Sequence, residues 1–366
     1  MRSAVSAILL LYSAGALAVP AQLGAEPHWA LQYQYRDLDR SLTITGIAFP
    51  SRTRGIVCGY STDRDGRDRP LVLLTSDAGE HWTENPVREI GLSLYFLDDS
   101  TGWMVTEHGI WSTTESGHTW KKLNAPSGMM RVWFLTRVHG FAAGTGKRAF
   151  ETTDGGVTWK LLPIINQLQG NPAYTEFGDI AFRGDNGLIT GWSAPPVRGT
   201  AAPGDGSVQI PQLTIILETH DGGKTWTKTE ASLFGQITRI SIPEMGPALG
   251  LIEFRHIFEY PSEVYGINLH TGHSERVYRE KDHAITSVKI FAPDRAFLAG
   301  YETAVPYHPS PVPGKLKVLS SDDLTNWNEM PVDYRAVAHQ ATIAGPDADH
   351  LWIATDTGMI LRLVSE

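Results

Sequence analysis

Carboxylates recur in this chain at a spacing that invites a chemical reading. Asp77, Glu115, Asp154, Asp221 and Asp322 each stand two residues after a Ser or Thr and five before a Trp. The segments read TSDAGEHW (75–82), TTESGHTW (113–120), TTDGGVTW (152–159), THDGGKTW (219–226) and SSDDLTNW (320–327). Their shared pattern is [ST]-x-D-x-G-x-x-W, with Gly79, Gly117, Gly156 and Gly223 at the glycine position and Trp82, Trp120, Trp159, Trp226 and Trp327 at the end. A carboxylate in such a setting can fold onto backbone N–H groups two residues on, while Gly supplies the positive φ of a tight turn. The hydroxyl adds a further bond, and the Trp opens the next strand with a large buried ring. The chemistry implied is that of a hairpin turn, not of catalysis.

Other reactive groups give weaker signals. Asp63, Asp65 and Asp68 surround Gly66 as in a calcium loop, but Arg64, Arg67 and Arg69 interleave them and cancel the field a divalent cation needs. His270 and His273 flank Thr271-Gly272 in an expected turn and are read as turn residues, not metal ligands. Cys58 follows Ile56 and Val57 and is read as a buried, inert thiol. No G-x-S-x-G and no phosphate-binding loop occurs. A glycosidase needs two carboxylates held a few ångströms apart at a sugar, a distance that a sequence does not contain.

The turns must be held by repeating units. Trp-to-Trp steps are 38, 39, 67 and 101 residues. That is one unit, one unit, one unit with an insertion, and two units of which one lacks its box. Each unit also has a short apolar strand that often begins with Gly: Gly55-Ile-Val-Cys-Gly, Gly102-Trp-Met-Val, Gly140-Phe-Ala-Ala-Gly and Gly187-Leu-Ile-Thr-Gly. Degenerate versions start at Ala248, Ala296 and Leu351, which makes seven. Seven units of four short strands predict an all-β, seven-bladed β-propeller of antiparallel blades. With strands named A to D from the axis outward, the blade ending at Trp226 has A near 179–182, B at 187–192, C at 213–219 and D from Trp226. The last blade has B near 351–355 and C at 359–364, then the chain ends without a D strand. Residues 28–32 (HWALQ) resemble a D strand, so the N-terminal segment is expected to complete that blade, close the ring and remove a free sheet edge.

Four stretches lengthen blades between strands B and C: 61–70, 193–212, 255–262 and 302–315. Successive strands are antiparallel, so these loops lie on the face opposite the C-to-D turns. The long D-to-A connection 163–176 should emerge there too. Loops on a rigid scaffold carry function, which makes the insertion face the expected binding face. Its candidate contacts are Arg64, Arg67, Arg69, Arg198, Arg255, His256, Tyr307 and His308, since Arg and aromatic residues are enriched at binding hot spots.

Composition sets the outer bounds. The chain has 366 residues, 42% hydrophobic and 19% charged, ample for a core. Arg2 followed by an apolar run to Leu17 and the Ala16-Leu17-Ala18 site reads as a signal peptide over 1–18, leaving 19–366 as one propeller domain in the periplasm or outside the cell. No later stretch is apolar for long enough to span a bilayer. A single Cys allows no internal disulfide. With Arg2 removed, 30 basic residues face 40 acidic ones, which argues against a nucleic-acid partner.

The repeated boxes resemble those of the bacterial neuraminidase repeat, or Asp-box, proteins. Box plus G-x-x-x-G strand in one compact exported propeller is similar to the photosystem II assembly and stability factor family, over nearly the whole chain after residue 18. That resemblance implies a non-enzymatic scaffold, without cofactor or metal, that binds a protein client such as a membrane-complex subunit or assembly intermediate. The chain departs from the pattern at Leu324, which stands for Gly, in a fifth blade without a box, and in its long insertions. The alternative is a sialidase-like glycoside hydrolase or a carbohydrate-binding propeller. Against it, the Arg-Ile-Pro usual in sialidases is missing, Tyr35-Arg36-Asp37 being the nearest match, and xyloglucanases of this repeat class usually contain two propellers.

Overall fold

A computed structural model describes residues 26–194, 212–254, 260–291, 294–303, 312 and 314–365. Seven four-stranded antiparallel sheets make up the ring. Blade four shows the plan: Thr175–Arg183, Asn186–Ser193, Gln212–Thr219 and Thr227–Leu233 pair in sequence order. The innermost strands of the other blades are Arg40–Ala48, Gly91–Phe96, Met129–Phe134, Gln236–Ser241, His283–Phe291 and Ala341–Asp347. The core lies between blades, where each sheet packs its apolar face on the next.

Two recurring contacts explain the glycines that open and close strand B. A Cβ on Gly102 or Gly140 would sit 2.5 Å from the ring of Phe96 or Phe134, the last residue of the neighbouring strand A. Gly55 and Gly187 lie equally tightly under Phe49 and Phe182. At the other end, a Cβ on Gly59 or Gly300 would run into the strand A carbonyl of Thr43 or Ala284, and one on Gly144 into the carbonyl of Gly128, just before strand A. The G-x-x-x-G spacing is therefore the footprint of strand A lying close against strand B at both ends.

The ring closes as the sequence implies. His28–Gln34 pairs antiparallel with Met359–Val364 as the outer strand of blade seven. A second hold is added from outside. The Trp29 N–H donates to the Pro331 carbonyl at 2.8 Å, and the Asp333 N–H donates to the Trp29 carbonyl at 3.1 Å. The Trp29 side chain is wholly buried, and its indole N–H points at the Met330 sulfur.

The C-to-D turns are hydrogen-bonded units. In blade four, the Thr219 hydroxyl donates to Asp221 at 2.8 Å and accepts the Gly223 N–H at 2.9 Å. Asp221 also accepts the Thr225 N–H and hydroxyl. Gly222 and Gly223 both have positive φ, at 71° and 88°. Asp77 and Asp154 make the same bonds with Thr75 and Thr152. Bonds from turn groups hold the carboxyls of Asp77, Asp154 and Asp221 down to about 2. Glu115 is one methylene longer and reaches on to the Thr119 hydroxyl, while Thr113 still accepts the Gly117 N–H. Trp226 meets Phe141 of the preceding blade and Phe182 of its own blade edge-on, at 5.6 and 5.9 Å.

The fifth turn corrects one assignment. Asp322 does not hold it; Asp323 does. Strand C runs to Ser321, whose hydroxyl donates to Asp323, and Asp323 accepts the N–H groups of Thr325 and Asn326. The turn is one residue shorter, the glycine position is missing, and Leu324 takes the left-handed conformation at φ 58°. Asp322 faces solvent, 3.9 Å from Arg295. In blade five, Asn268 accepts the N–H groups of His270 and Thr271 in place of a box.

Candidate axial site

Six innermost strands carry a one-residue bulge at the same level. Register slips at Thr45, Leu92, Met130, Gly178, Thr238 and Thr286. The residues that follow are Gly46, Ser93, Arg131, Asp179, Arg239 and Ser287, one per blade around the axis. The side chains of Ser93, Asp179 and Ser287 reach across to the free inner edge of the next strand A. The Ser93 hydroxyl donates to the Met130 carbonyl at 2.8 Å, Asp179 accepts the Ile240 N–H at 2.8 Å, and Ser287 accepts the Ile343 N–H at 3.0 Å. These bonds satisfy backbone groups that the ring would otherwise leave unpaired.

Blades three to five break the pattern with charge. Arg131 lies 3.5 Å from Asp179, and both are largely buried. Arg239 donates to its own Thr238 carbonyl and shares the same Asp179 through its field. Burial and the charge of Arg239 push the Arg131 guanidinium down to about 10. Burial raises the Asp179 carboxyl, against the pull of both arginines. Two residues beyond this level, Lys289 lies over the Phe291 ring at 5.6 Å and has no carboxylate partner among the described residues. Its ammonium is lowered by burial and by the charge of Arg183. Near it, Arg183 is paired with Glu244. The axis thus brings Arg131, Arg239 and Lys289 together with Asp179 and Glu253, with the more exposed Arg183–Glu244 pair nearby, in a protein of net charge −9. Cations in low-dielectric surroundings without full compensation are costly. An anionic group entering the channel would offset that cost.

A cavity of about 530 Å³ opens beside the axis on the face of the C-to-D turns. Tyr95, Trp133 and Arg183 from strands A of blades two to four line it, with Asp221 and Lys224 of the blade four turn at its rim. Tyr95 and Trp133 have ring centroids 4.8 Å apart, and the Tyr95 hydroxyl donates to the Phe134 carbonyl.

Of the residues expected to bind, Arg198, Arg255, His256, Tyr307 and His308 lie outside the described residues, as do residues 1–18, where a leader is expected. The stretch 61–70 is not a loop: strands Gly55–Asp63 and Asp68–Thr75 extend through it, with Thr62 paired to Asp68. Arg64, Arg67 and Arg69 are exposed at its tip, where Arg64 pairs with Asp39 at 2.7 Å and Arg67 lies 3.9 Å from Asp65. Asp63 accepts the N–H groups of Asp65 and Arg67, which spends its carboxylate on the turn. No cluster of three or more potential metal ligands occurs among the described residues. Cys58 is fully buried and its thiol is pushed up to about 12 by burial. The axial charges escaped sequence reading because Arg131, Asp179 and Arg239 are single polar residues in otherwise apolar strands. The only signal was their equal position in successive units.

Comparison with solved structures matches this architecture. YCF48 bound to a D1 peptide superposes with TM-score 0.61 at 15% identity, covering 92% of this chain and 100% of that one. YCF48 from Cyanidioschyzon merolae gives 0.59 at 15% identity over 92% and 98%. The xyloglucanase of glycoside hydrolase family 74 from Xanthomonas campestris gives 0.59 at 10% identity, over 92% of this chain and 53% of that enzyme. At these identities the likeness is one of fold. No protein-family model matches the chain, and no curated protein matches it in sequence. No helix among the described residues is long and apolar enough to cross a membrane.

Proposed function

We propose that this chain is an exported, non-enzymatic propeller that binds an acidic segment of a protein client, a membrane-complex subunit or assembly intermediate, at its axis. The observation that carries the reading is the axial charge pattern: Arg131 and Arg239 both act on Asp179, Arg239 is also met by Glu253, and Lys289 has no carboxylate partner among the described residues, so three cations face two carboxylates. Arginine forks and a lysine ammonium around one opening suit carboxylates, which accept several charge-assisted hydrogen bonds at once. Rigid display is the mechanism. The side chains are fixed by the stitched inner strands, so little ordering cost falls on binding. The likeness to YCF48, a propeller solved with a peptide bound, supports the same reading.

Calorimetric titration with an acetylated Asp-containing peptide, and with its Asn counterpart, tests it. Replacing Asp by Asn should weaken binding at least tenfold, and Arg131→Gln with Arg239→Gln should remove the difference between the peptides. Equal affinity of the two peptides for the unaltered protein overturns the reading.

A further inference from the structure

The cavity on the turn face adds a second requirement on the same client, and this inference rests on the axial reading above. Arg131 and Trp133 are two residues apart on one strand after its bulge, paired with Ala143 and Phe141. Their side chains therefore lie on the same side of that strand, roughly 7 Å apart along it. Arg131 meets the axis at Asp179, and Trp133 lines the cavity with Tyr95.

Trp133 is unusual among the tryptophans. The indole N–H groups of Trp29, Trp111, Trp159, Trp192, Trp327 and Trp352 have hydrogen-bond partners. Those of Trp82, Trp103, Trp120 and Trp226 are sealed inside the protein without one. Trp133 alone of the eleven has an indole N–H that is neither bonded nor sealed, on a half-buried ring. A half-buried ring at a cavity wall with a free donor at its edge suits a side chain packing on the ring and a backbone carbonyl meeting the N–H.

Charge decides which part of the client goes where. In the cavity, Asp185 and Asp221 are balanced by Arg183 and Lys224, so its lining has no excess positive charge to draw a carboxylate in, and Asp221 is already committed to its turn. The excess of cations is at the axis. We infer that the client presents an extended segment of the form acidic-x-apolar, its carboxylate at Arg131 and Arg239 and its apolar or aromatic side chain in the cavity against Trp133 and Tyr95. Residues i and i+2 of an extended peptide point the same way with the same roughly 7 Å spacing, so the match is one of register.

The experiment uses the full chain and four acetylated, amidated peptides, with Asp-Ser-Phe, Asn-Ser-Phe, Asp-Ser-Gly or Asp-Phe-Ser as the central triplet. Asp-Ser-Phe should bind at least tenfold more tightly than Asp-Ser-Gly and Asp-Phe-Ser. Trp133→Ala should abolish that preference. Trp133→Phe, which keeps the packing, should keep it while losing threefold or more in affinity. In an indole 15N–1H spectrum, the peak missing from Trp133→Phe should be the one that moves on adding Asp-Ser-Phe to the unaltered protein. If Asp-Ser-Phe and Asp-Ser-Gly bind alike while Asn-Ser-Phe binds weakly, the cavity inference is overturned and the axial reading stands. If all four bind alike, both are overturned.

Discussion

The two faces of the disc are built differently, and the face of the C-to-D turns carries a cavity beside the axis. On the turn face of blades one, three and four, Thr, Asp and Gly residues lock the C-to-D connection with internal hydrogen bonds. The loops are thereby kept low, and the aromatic rings of strands A stay open beside the axis. On the opposite face, blade one raises an exposed hairpin on which Arg64 and Arg67 are met by carboxylates of the same region. Length and charge alone made that hairpin attractive as a site. Paired charges on a solvated tip offer little unspent interaction, whereas cations held at a shared, half-buried centre do. Convergence of several blades on one point distinguishes a site from a decorated loop.

Both faces depend on the ring being closed, so the harshest test of the contrast is to open it. Trp29 is wholly buried in the cluster that joins blades six and seven, and its backbone bridges to the Pro331–Asp333 segment. Trp29→Ala should destabilise the protein by about 3–5 kcal/mol, the range for deleting a buried aromatic. Urea unfolding would show the loss directly. If the ring is the common support, peptide binding at the axis should weaken as the variant begins to unfold and not before. A loss of under about 1 kcal/mol would show that blade seven tolerates an open seam, and that closure is not what holds the axial residues in place.

A smaller lesion separates turn from hairpin. Thr219 is buried and bonds at once to Asp221 and to the Gly223 N–H. Thr219→Val keeps the shape and removes both bonds, leaving a buried N–H unsatisfied. The expected cost is about 1–3 kcal/mol. Because this turn forms the rim of the cavity, affinity for an Asp-Ser-Phe peptide should fall with it, while Thr75→Val in the distant blade one turn should cost similar stability and leave affinity unchanged. Equal loss of affinity in both variants would mean that general loosening, and not the rim, controls the cavity.

How much of this could be read in the sequence follows from which residues repeat. The box and the flanking glycines are imposed by backbone geometry common to every blade, so they recur and reveal the propeller, its blade count and its closure. Asp323 was misplaced because the fifth turn dropped one residue, and Asp322 beside it fits the spacing of the other boxes while Asp323 fits the hydrogen bonds. The site was illegible for the opposite reason. Arg131, Asp179 and Arg239 sit where Gly46, Ser93 and Ser287 sit in other blades, so function lies in departures from the repeat at an unmarked position. Only the bulge in strand A, which no residue type announces, shows that these positions face one another. Trp133 was similarly hidden among ten other tryptophans whose roles are structural.

The mildest change should be at the hairpin. Arg64 reaches Asp39 at 2.7 Å, but both side chains are some 70% exposed or more. Water and salt screen such a pair, and fixing two long side chains offsets much of the attraction. Arg64→Ala should therefore change unfolding free energy by less than about 0.5 kcal/mol, and should leave affinity for the acidic peptide within twofold. The measurement carries weight because the protein has a net negative charge, so removing any cation should slightly slow the approach of an acidic peptide through the long-range field. That effect vanishes at high salt, whereas a direct contact would leave a residual loss there. A tenfold loss persisting at high ionic strength would return the binding site to the insertion face and reverse the contrast between the two faces.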